Sequence, residues 1–463
     1  MLAGAIIATV LSLISIALIG NLYSPESFAE YRLILSYGTI LSLLMTLRLE
    51  LGIVVSDSIN KATNKLLVIL KIIFIVAIII AVILNLINTD NLTNHIGVNK
   101  NFLNFIILVG FTLAISEVFR QFYTYRSNFF IISFLNILMQ MIFIIFLLIF
   151  FYYENEDTGL GLSRIFAFLV ICIFGAIYLK KFLSTKLLKL EIIDFVKDNK
   201  DYPKYNLTYS FLTQFSQSFP IWILLVMGYP KAAGIFGFLF SLSYFPGMFL
   251  NSSIGQVYFK AASKLNNNKN DLLELTDSIY LLLLLSTIPI MFIFTLFNEE
   301  IISIIFSEKW LNIEINITYI FLCGYLYIFS SWPERIFVSL KRQDIIFKNQ
   351  LIFDSLSIIF LVYAYYISMN INQLLIGFIS INIAYHLSYI SLVRSLLGKN
   401  WFKSMLILIL ILIFFVVSFE FISHVELKQN LNEIIALVFA LTMIYCVLYL
   451  PLIKNFLTKI NRY

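Results

Sequence analysis

The chain has 463 residues, of which 60% are hydrophobic and 13% charged, and its formal net charge is +6. A soluble domain holds about 45–50% apolar and about 25% charged residues, so this composition excludes a soluble enzyme and indicates an integral membrane protein.

Met1 to Pro25, Phe129 to Tyr153, Tyr205 to Pro230, Ala232 to Phe259 and Ser278 to Asn298 are free of charged side chains. Each run exceeds the ~18 residues that a membrane-spanning helix needs. Charge gaps divide the chain into fourteen predicted helices, at 2–20, 33–47, 66–87, 103–120, 129–152, 160–179, 205–229, 233–254, 276–297, 313–332, 350–369, 373–393, 404–423 and 431–452. At ~20 residues each they take up about 280 residues and leave only short connections, so no soluble domain is expected. The first run has no basic region before it and no small-residue cleavage site after it, so it is expected to be a retained helix and not a signal peptide. Ser355 to Val393 contains no Lys, Arg, Asp or Glu. It is nearly twice a bilayer core in length at ~1.5 Å per residue, so it must fold back, at Met369-Asn370-Ile371-Asn372.

The basic residues orient these spans. Arg48, Lys61, Lys65, Arg120, Arg126, Lys260, Lys264, Lys269, Arg394, Lys399 and Lys403 follow even-numbered helices, as does the basic stretch from Lys180 to Lys204. Of 32 basic residues, only Arg32, Lys100, Arg164, Lys231, Lys309 and Lys428 fall on the other side. The positive-inside rule then places both termini in the cytoplasm. The net charge is this bias; it favours anionic lipid headgroups and does not imply nucleic acid.

Cys172, Cys323 and Cys446 lie far apart in apolar runs, and His95, His386 and His424 are scattered. No spacing suits a disulfide framework or a metal site. No phosphate-binding, dinucleotide-binding or nucleophile-elbow motif occurs, so no cofactor, metal or built-in ATPase is expected.

Two segments six spans apart resemble one another, Tyr23-Ser24-Pro25-Glu26-Ser27-Phe28-Ala29-Glu30-Tyr31 and Gly228-Tyr229-Pro230-Lys231-Ala232-Ala233-Gly234-Ile235-Phe236. Superposing Pro25 on Pro230 aligns Tyr31 with Phe236 and Ser36 with Ser241. Duplicated bundles are common in transporters. The expected architecture is an all-α polytopic membrane protein with two pseudo-symmetric six-helix lobes, 1–179 and 205–393. A basic cytoplasmic connector, 180–204, joins them, and two further helices and a tail follow in 394–463.

Leu22-Tyr23-Ser24-Pro25-Glu26-Ser27-Phe28 resembles the "RLYSPEDFG" turn of the bacterial O-antigen and polysaccharide flippases of the multidrug/oligosaccharidyl-lipid/polysaccharide (MOP) exporter superfamily. Leu47-Arg48-Leu49-Glu50-Leu51-Gly52-Ile53-Val54 is similar to that family's "RYELAIV". Gly234-Ile235-Phe236, Phe245-Pro246 and Ile254-Gly255-Gln256-Val257-Tyr258-Phe259 resemble the segment that opens its second lobe. Asn21 and Ala29-Glu30 depart from the family's usual Arg and Gly. The resemblance implies translocation of a polyprenyl-pyrophosphate-linked oligosaccharide, an O-antigen or capsule repeat unit, across the bacterial inner membrane by alternating access. Its partners would be the lipid-linked glycan, membrane lipids, a glycan polymerase and glycosyltransferases.

Such a substrate needs hydroxyl-binding and pyrophosphate-binding groups within the membrane, where polar residues are functional candidates by default. In the seventh predicted span Asn206, Ser210, Thr213, Gln214 and Gln217 recur at spacings of three and four, one helical face suited to sugar hydroxyls or to helix packing. Arg48 and Arg120 are the candidate anion partners, because guanidinium grips phosphate bidentately; snorkelling to the interface is the alternative. Glu50 and Glu117 are expected to pair with them or to bind a coupling ion. Asp354 and His386 are further candidates for coupling, against an interfacial or Lys348-paired role for Asp354 and an inter-helix hydrogen-bonding role for His386. A multidrug or cation antiporter of the same fold would want buried carboxylates in the first helix, which has none. A glycan polymerase or glycosyltransferase would want catalytic residues on a long outer loop.

Overall fold

In the computed structural model, residues 2–86, 101–179, 195–296 and 310–406 are described, save for breaks at 55, 57, 127, 154–155, 198, 201, 266–267, 311–314, 316 and 341. Helices make up nearly all of this, and no strand occurs among the described residues. The predicted spans at 404–423 and 431–452, except 404–406, lie outside the described residues, as do the outer connection 89–100 and the basic stretch 180–194.

The helices are α1 (Leu2–Leu22), α2 (Pro25–Thr46), α3 (Leu51–Val54), α4 (Ile59–Leu86), α5 (Asn101–Tyr125), α6 (Phe129–Tyr152) and α7 (Glu156–Leu179). A π-helical turn, Tyr202–Leu207, then runs into α8 (Thr208–Val226). Beyond it come α9 (Pro230–Lys264), α10 (Lys269–Leu296), α11 (Ile317–Ser331), the 3₁₀ turn Trp332–Arg335, α12 (Ile336–Ser339), α13 (Gln343–Tyr366) and α14 (Ile371–Leu396). Several start earlier than the charge gaps predict, because a helix continues past the apolar run: α2 includes Glu26, Glu30 and Arg32, α4 includes Lys61 and Lys65, and α13 includes Lys348. Among the described residues six helices are long and apolar enough to cross a membrane, Ile59–Ile83, Leu103–Tyr125, Phe130–Tyr152, Gly159–Ile177, Asp344–Tyr366 and Ile371–Leu396.

Local chemistry sets the ends. Ser24 accepts a hydrogen bond from the Ser27 N–H, Pro25 fills the first helical position and Glu26 meets the positive end of α2. This is a capped helix start in which each residue type of the repeated motif has a job. α8 closes on Gly228 at φ +82°, with the Tyr229 N–H donating to the Leu224 carbonyl and the Gly228 N–H to that of Leu225, a Schellman end that only glycine adopts without strain. The uncharged stretch from Ser355 to Val393 breaks between Tyr366 and Ile371, where Ser368 takes φ +51°.

The chain forms two compact units, Met1–Phe238 with Ile305–Ile313 and Ile358–Ile371, and Leu239–Ile304 with Glu314–Ser357 and Asn372–Tyr463. In the first, α2 is the central helix and packs on α4, α5, α7 and α8, most extensively on α5. The α2–α5 crossing is close because Gly38 and Gly110 face each other's helices: a Cβ on Gly110 would lie 2.8 Å from Leu41 Cβ and 3.1 Å from the Gly38 carbonyl oxygen. Small residues at such crossings let backbones approach where no water drives association. Gly110→Val is therefore expected to destabilise the protein by about 1–3 kcal/mol, the usual cost of overpacking, measured by thermal unfolding in detergent. Below this crossing, Met45, Leu49, Ile53, Leu66, Ile69, Val118, Phe122 and Tyr123 form a buried core.

In the second unit, a Cβ on Gly324 of α11 would strike the Ser243 carbonyl of α9, and Trp332 is fully buried with its ring 4.7 Å from that of Tyr258 and 5.1 Å from that of Tyr280. The outer faces are apolar in both units. In the first unit Phe74, Ile75, Ile78, Ile79, Val82 and Ile83 of α4 are exposed, and in the second Ile352 and Leu356 of α13 are. Stripes of this size are untenable in water and normal against lipid chains. The chain is a multi-pass membrane protein.

Candidate functional site

The end of α2 carries the first candidate. After Thr46 two consecutive residues, Leu47 and Arg48, take left-handed φ values of +51° and +58°. For residues with a Cβ this costs on the order of 1–2 kcal/mol each and persists only where surroundings enforce it. Here Leu49 is fully buried behind the turn, and the Arg48 N–H donates to Thr46 Oγ1 at 3.3 Å.

The turn aims the Arg48 side chain at two partners. Its Nε and Nη2 donate to Ser210 Oγ of α8 at 3.0 and 2.7 Å, and its Nη1 donates to Glu50 Oε1 at 3.3 Å. Arg48 is 27% exposed and Glu50 only 1%, so the cation lies outward of its carboxylate. Among the described residues Glu50 Oε2 is buried with no hydrogen-bond partner. In this turn beyond α2, burial pushes the Glu50 carboxyl above its ordinary range; Arg48 opposes the rise and negative Glu117 adds to it. From α5, Glu117 accepts from Arg120 Nη2 and, at 2.7 Å, from Gln121 Nε2. Arg120 is 56% exposed against 21% for Glu117, the same order of cation outside and carboxylate inside. Arg48, Glu50, Glu117, Arg120 and Ser210 thus form one electrostatic cluster, with Glu117 near enough to act on both Arg48 and Glu50.

The other residues of the seventh span are less uniform than their spacing predicts. Asn206 falls in the π-helical turn before α8; Thr213 donates to the Tyr209 carbonyl at 3.0 Å, and Gln214 Nε2 donates to Ser218 Oγ at 3.4 Å. All three and Gln217 are half-buried, and Ser210 alone of the five is buried. Ser210 is also the one that meets an arginine.

In the second unit the two remaining candidates sit on α13 and α14. Because α13 begins at Gln343, Asp354 stands about 16 Å along it at ~1.5 Å per residue, not in its first turn. It is buried and accepts from Gln350 Nε2 at 2.6 Å. His386 is buried with both ring nitrogens occupied, Nδ1 by Ser330 Oγ at 2.8 Å and Nε2 by Tyr244 Oη at 3.0 Å. Tyr244 also contacts Cys323 Sγ at 3.3 Å.

Two features escape the sequence reading. Lys65 of α4 donates to the Gly52 carbonyl at 2.8 Å, tying the segment after Glu50 to α4. Arg164, counted only for its side of the membrane, lies in α7 with its guanidinium carbon 4.8 Å from the Phe143 ring centre and 5.2 Å from that of Phe168. Its solitary charge in an apolar run was the available signal.

A profile of the family described as polysaccharide biosynthesis proteins matches residues 22–314. No curated protein matches the sequence significantly. The fold is similar to that of the lipid II flippase MurJ in an inward closed conformation, with a TM-score of 0.65 and 14% identity over 98% of this chain and 99% of that one. It is also similar to an inward-facing multidrug resistance MATE family transporter of the MOP superfamily, with a TM-score of 0.55 and 15% identity over 84% of this chain and 94% of that one. A mutant of the MATE transporter VcmN of Vibrio cholerae gives a TM-score of 0.52 and 14% identity over 86% and 95% of the two chains. With more than half of its length matched by the profile, the chain belongs to the family of polysaccharide biosynthesis proteins, on the fold of the MOP-superfamily transporters.

Proposed function

We propose that the protein is a flippase that carries a polyprenyl-pyrophosphate-linked oligosaccharide from the inner to the outer leaflet of the bacterial inner membrane by alternating access. In this reading the chain has fourteen spans in two lobes with both termini in the cytoplasm, and it is a transporter and not an enzyme. The observation that carries the proposal is the pair of outward-lying guanidinium groups, Arg48 and Arg120, each backed by a more buried carboxylate at the end of an apolar helix. Guanidinium forks suit pyrophosphate oxygens. The half-buried amides of Gln214 and Gln217, on the same chain segment as Ser210, suit sugar hydroxyls. Family membership and the likeness to a lipid II flippase support this reading.

Deletion of the gene is the test. It should leave polyprenyl-linked repeat units facing the cytoplasm and the surface polysaccharide missing; a mutant with normal surface polysaccharide would contradict the proposal. A glycan polymerase and the glycosyltransferases that build the repeat unit are the expected partners.

The MATE likeness favours a second reading, drug or cation antiport. Helix α1 has no carboxylate, which argues against it, and among its described side chains Ser12, Ser15 and Asn21 each donate to a carbonyl of their own helix. For His386, saturation of both nitrogens favours a structural role. His386→Gln is expected to lower thermal stability by about 1–3 kcal/mol, the cost of stranding a buried partner, while export per inserted molecule holds. A loss of export at unchanged stability would instead assign His386 to coupling.

A further inference from the structure

The cluster around Arg48 holds two guanidinium groups and two carboxylates, so its formal charge is zero while all four are ionised. A pyrophosphate approaching the cluster would meet two cations already balanced by two anions. Arg48 is moreover already occupied, with Nη1 on Glu50 and with Nε and Nη2 on Ser210. Glu50 is the weak member. It is 1% exposed, only Oε1 is bonded to Arg48, and Oε2 is enclosed without a hydrogen-bond donor among the described residues. Arg48, the Thr46 hydroxyl and the backbone N–H of Glu50 favour the charged form, but burial outweighs them; Oε2 has lost its hydration without a hydrogen bond to replace it, and a proton there removes that cost.

We propose that Glu50 is the proton switch of the anion site: ionised, it holds the Arg48 guanidinium, and protonated on Oε2, it releases Arg48 to a diphosphate headgroup. This inference rests on the flippase reading. The charged groups around Glu50 are Arg48 in its own turn, Glu117 of α5 with Arg120 beyond it, and Lys65 of α4, whose ammonium is bound at the Gly52 carbonyl. Asn199, from the segment before α8, packs on Gly52 and brings no charge.

The sign follows from linkage. A bound diphosphate takes over the guanidinium that stabilised the carboxylate and adds negative charge, which raises the Glu50 pKa and draws in a proton. Affinity should therefore tighten as pH falls through the ligand-bound pKa, by up to about tenfold per pH unit, and level off below the ligand-free one.

The test is binding of geranylgeranyl diphosphate to the full chain in lipid nanodiscs over a pH series from the ordinary carboxylate range upward, the direction in which burial moves the Glu50 carboxyl. Ionisation of the probe is common to every variant and cancels in the comparison. Glu50→Gln is expected to bind tightly with only the probe's own pH dependence, and Glu50→Asp to keep the wild-type slope. Equal slopes in wild type and Glu50→Gln would overturn the switch while leaving the flippase reading intact. Absence of binding in both folded proteins would defeat that reading and the switch with it. Should Glu50→Gln fail to fold, an infrared band of a protonated carboxyl that appears in the wild type on adding the probe supports the switch, and its absence overturns it.

Discussion

Arg48→Ala should lower glycan export by roughly ten- to a hundredfold, because a charge-assisted hydrogen bond to an anion is worth about 1.5–3 kcal/mol. The same change strands Glu50, 1% exposed, without the cation that balances it, so a drop in thermal stability is expected alongside. The double variant Arg48→Ala/Glu50→Gln separates the two effects. Removing the stranded charge should restore stability, whereas export should stay low because the anion partner is still missing. Recovery of export in the double variant would show that the arginine serves only to neutralise Glu50. Arg48→Lys should rescue in part, since an ammonium reaches Ser210 or Glu50 but cannot span both as the guanidinium fork does. Arg120→Ala should cost less than Arg48→Ala, since Arg120 is 56% exposed and its pairing is screened by water.

Gly234→Val is expected to be the most damaging of the steric changes. Gly234 sits in the first turns of α9 against the start of α2, so closely that a Cβ would overlap the Pro25 carbonyl group. The obstacle is backbone, at a proline held by the Ser24 cap, and it has no rotamer through which to yield. Phe28 continues the contact, its ring 5.0 Å from that of Phe238 and 5.9 Å from that of Trp310. A side chain at 234 must therefore part the two helix starts, at a cost of at least about 1–3 kcal/mol. Thermal unfolding of Gly234→Ala and Gly234→Val should show a graded loss; wild-type stability in both would mean that the contact is not needed. The two members of the sequence repeat, around Pro25 and around Pro230, are thus packed on one another within the first unit.

The helices themselves were legible because their cause is local. Apolar runs and the break before Ile371 follow from residue chemistry within a few positions, whereas the Ser24-Pro25-Glu26 cap and the Gly228 end, equally local, do not coincide with the bounds that charge gaps set at 33 and 229. Helix starts were placed too late wherever a helix carries charges beyond its apolar run, as at Lys61 in α4 and Lys348 in α13, and this hid the depth of Asp354 along its helix. The Glu117, Arg120 and Gln121 group was readable from spacings of three and four along α5. The pairing of Arg48 with Ser210 was not, since the two are 162 residues apart and meet only because two residues with side chains adopt a left-handed turn that no composition rule anticipates. The amide face of 206–217 was readable as a pattern, but the π-helical turn before α8 sets Asn206 apart from it.

The most direct measurement is transfer of a labelled polyprenyl-pyrophosphate-linked oligosaccharide between the leaflets of vesicles containing the purified protein, followed by the label's access to an impermeant glycan-binding reagent. Wild type should move the label well above the rate of protein-free vesicles, and Arg48→Ala should reduce that rate at least about tenfold at equal insertion. Transfer no faster than in protein-free vesicles, or equal in wild type and Arg48→Ala, would contradict a flippase built on the arginine and carboxylate cluster.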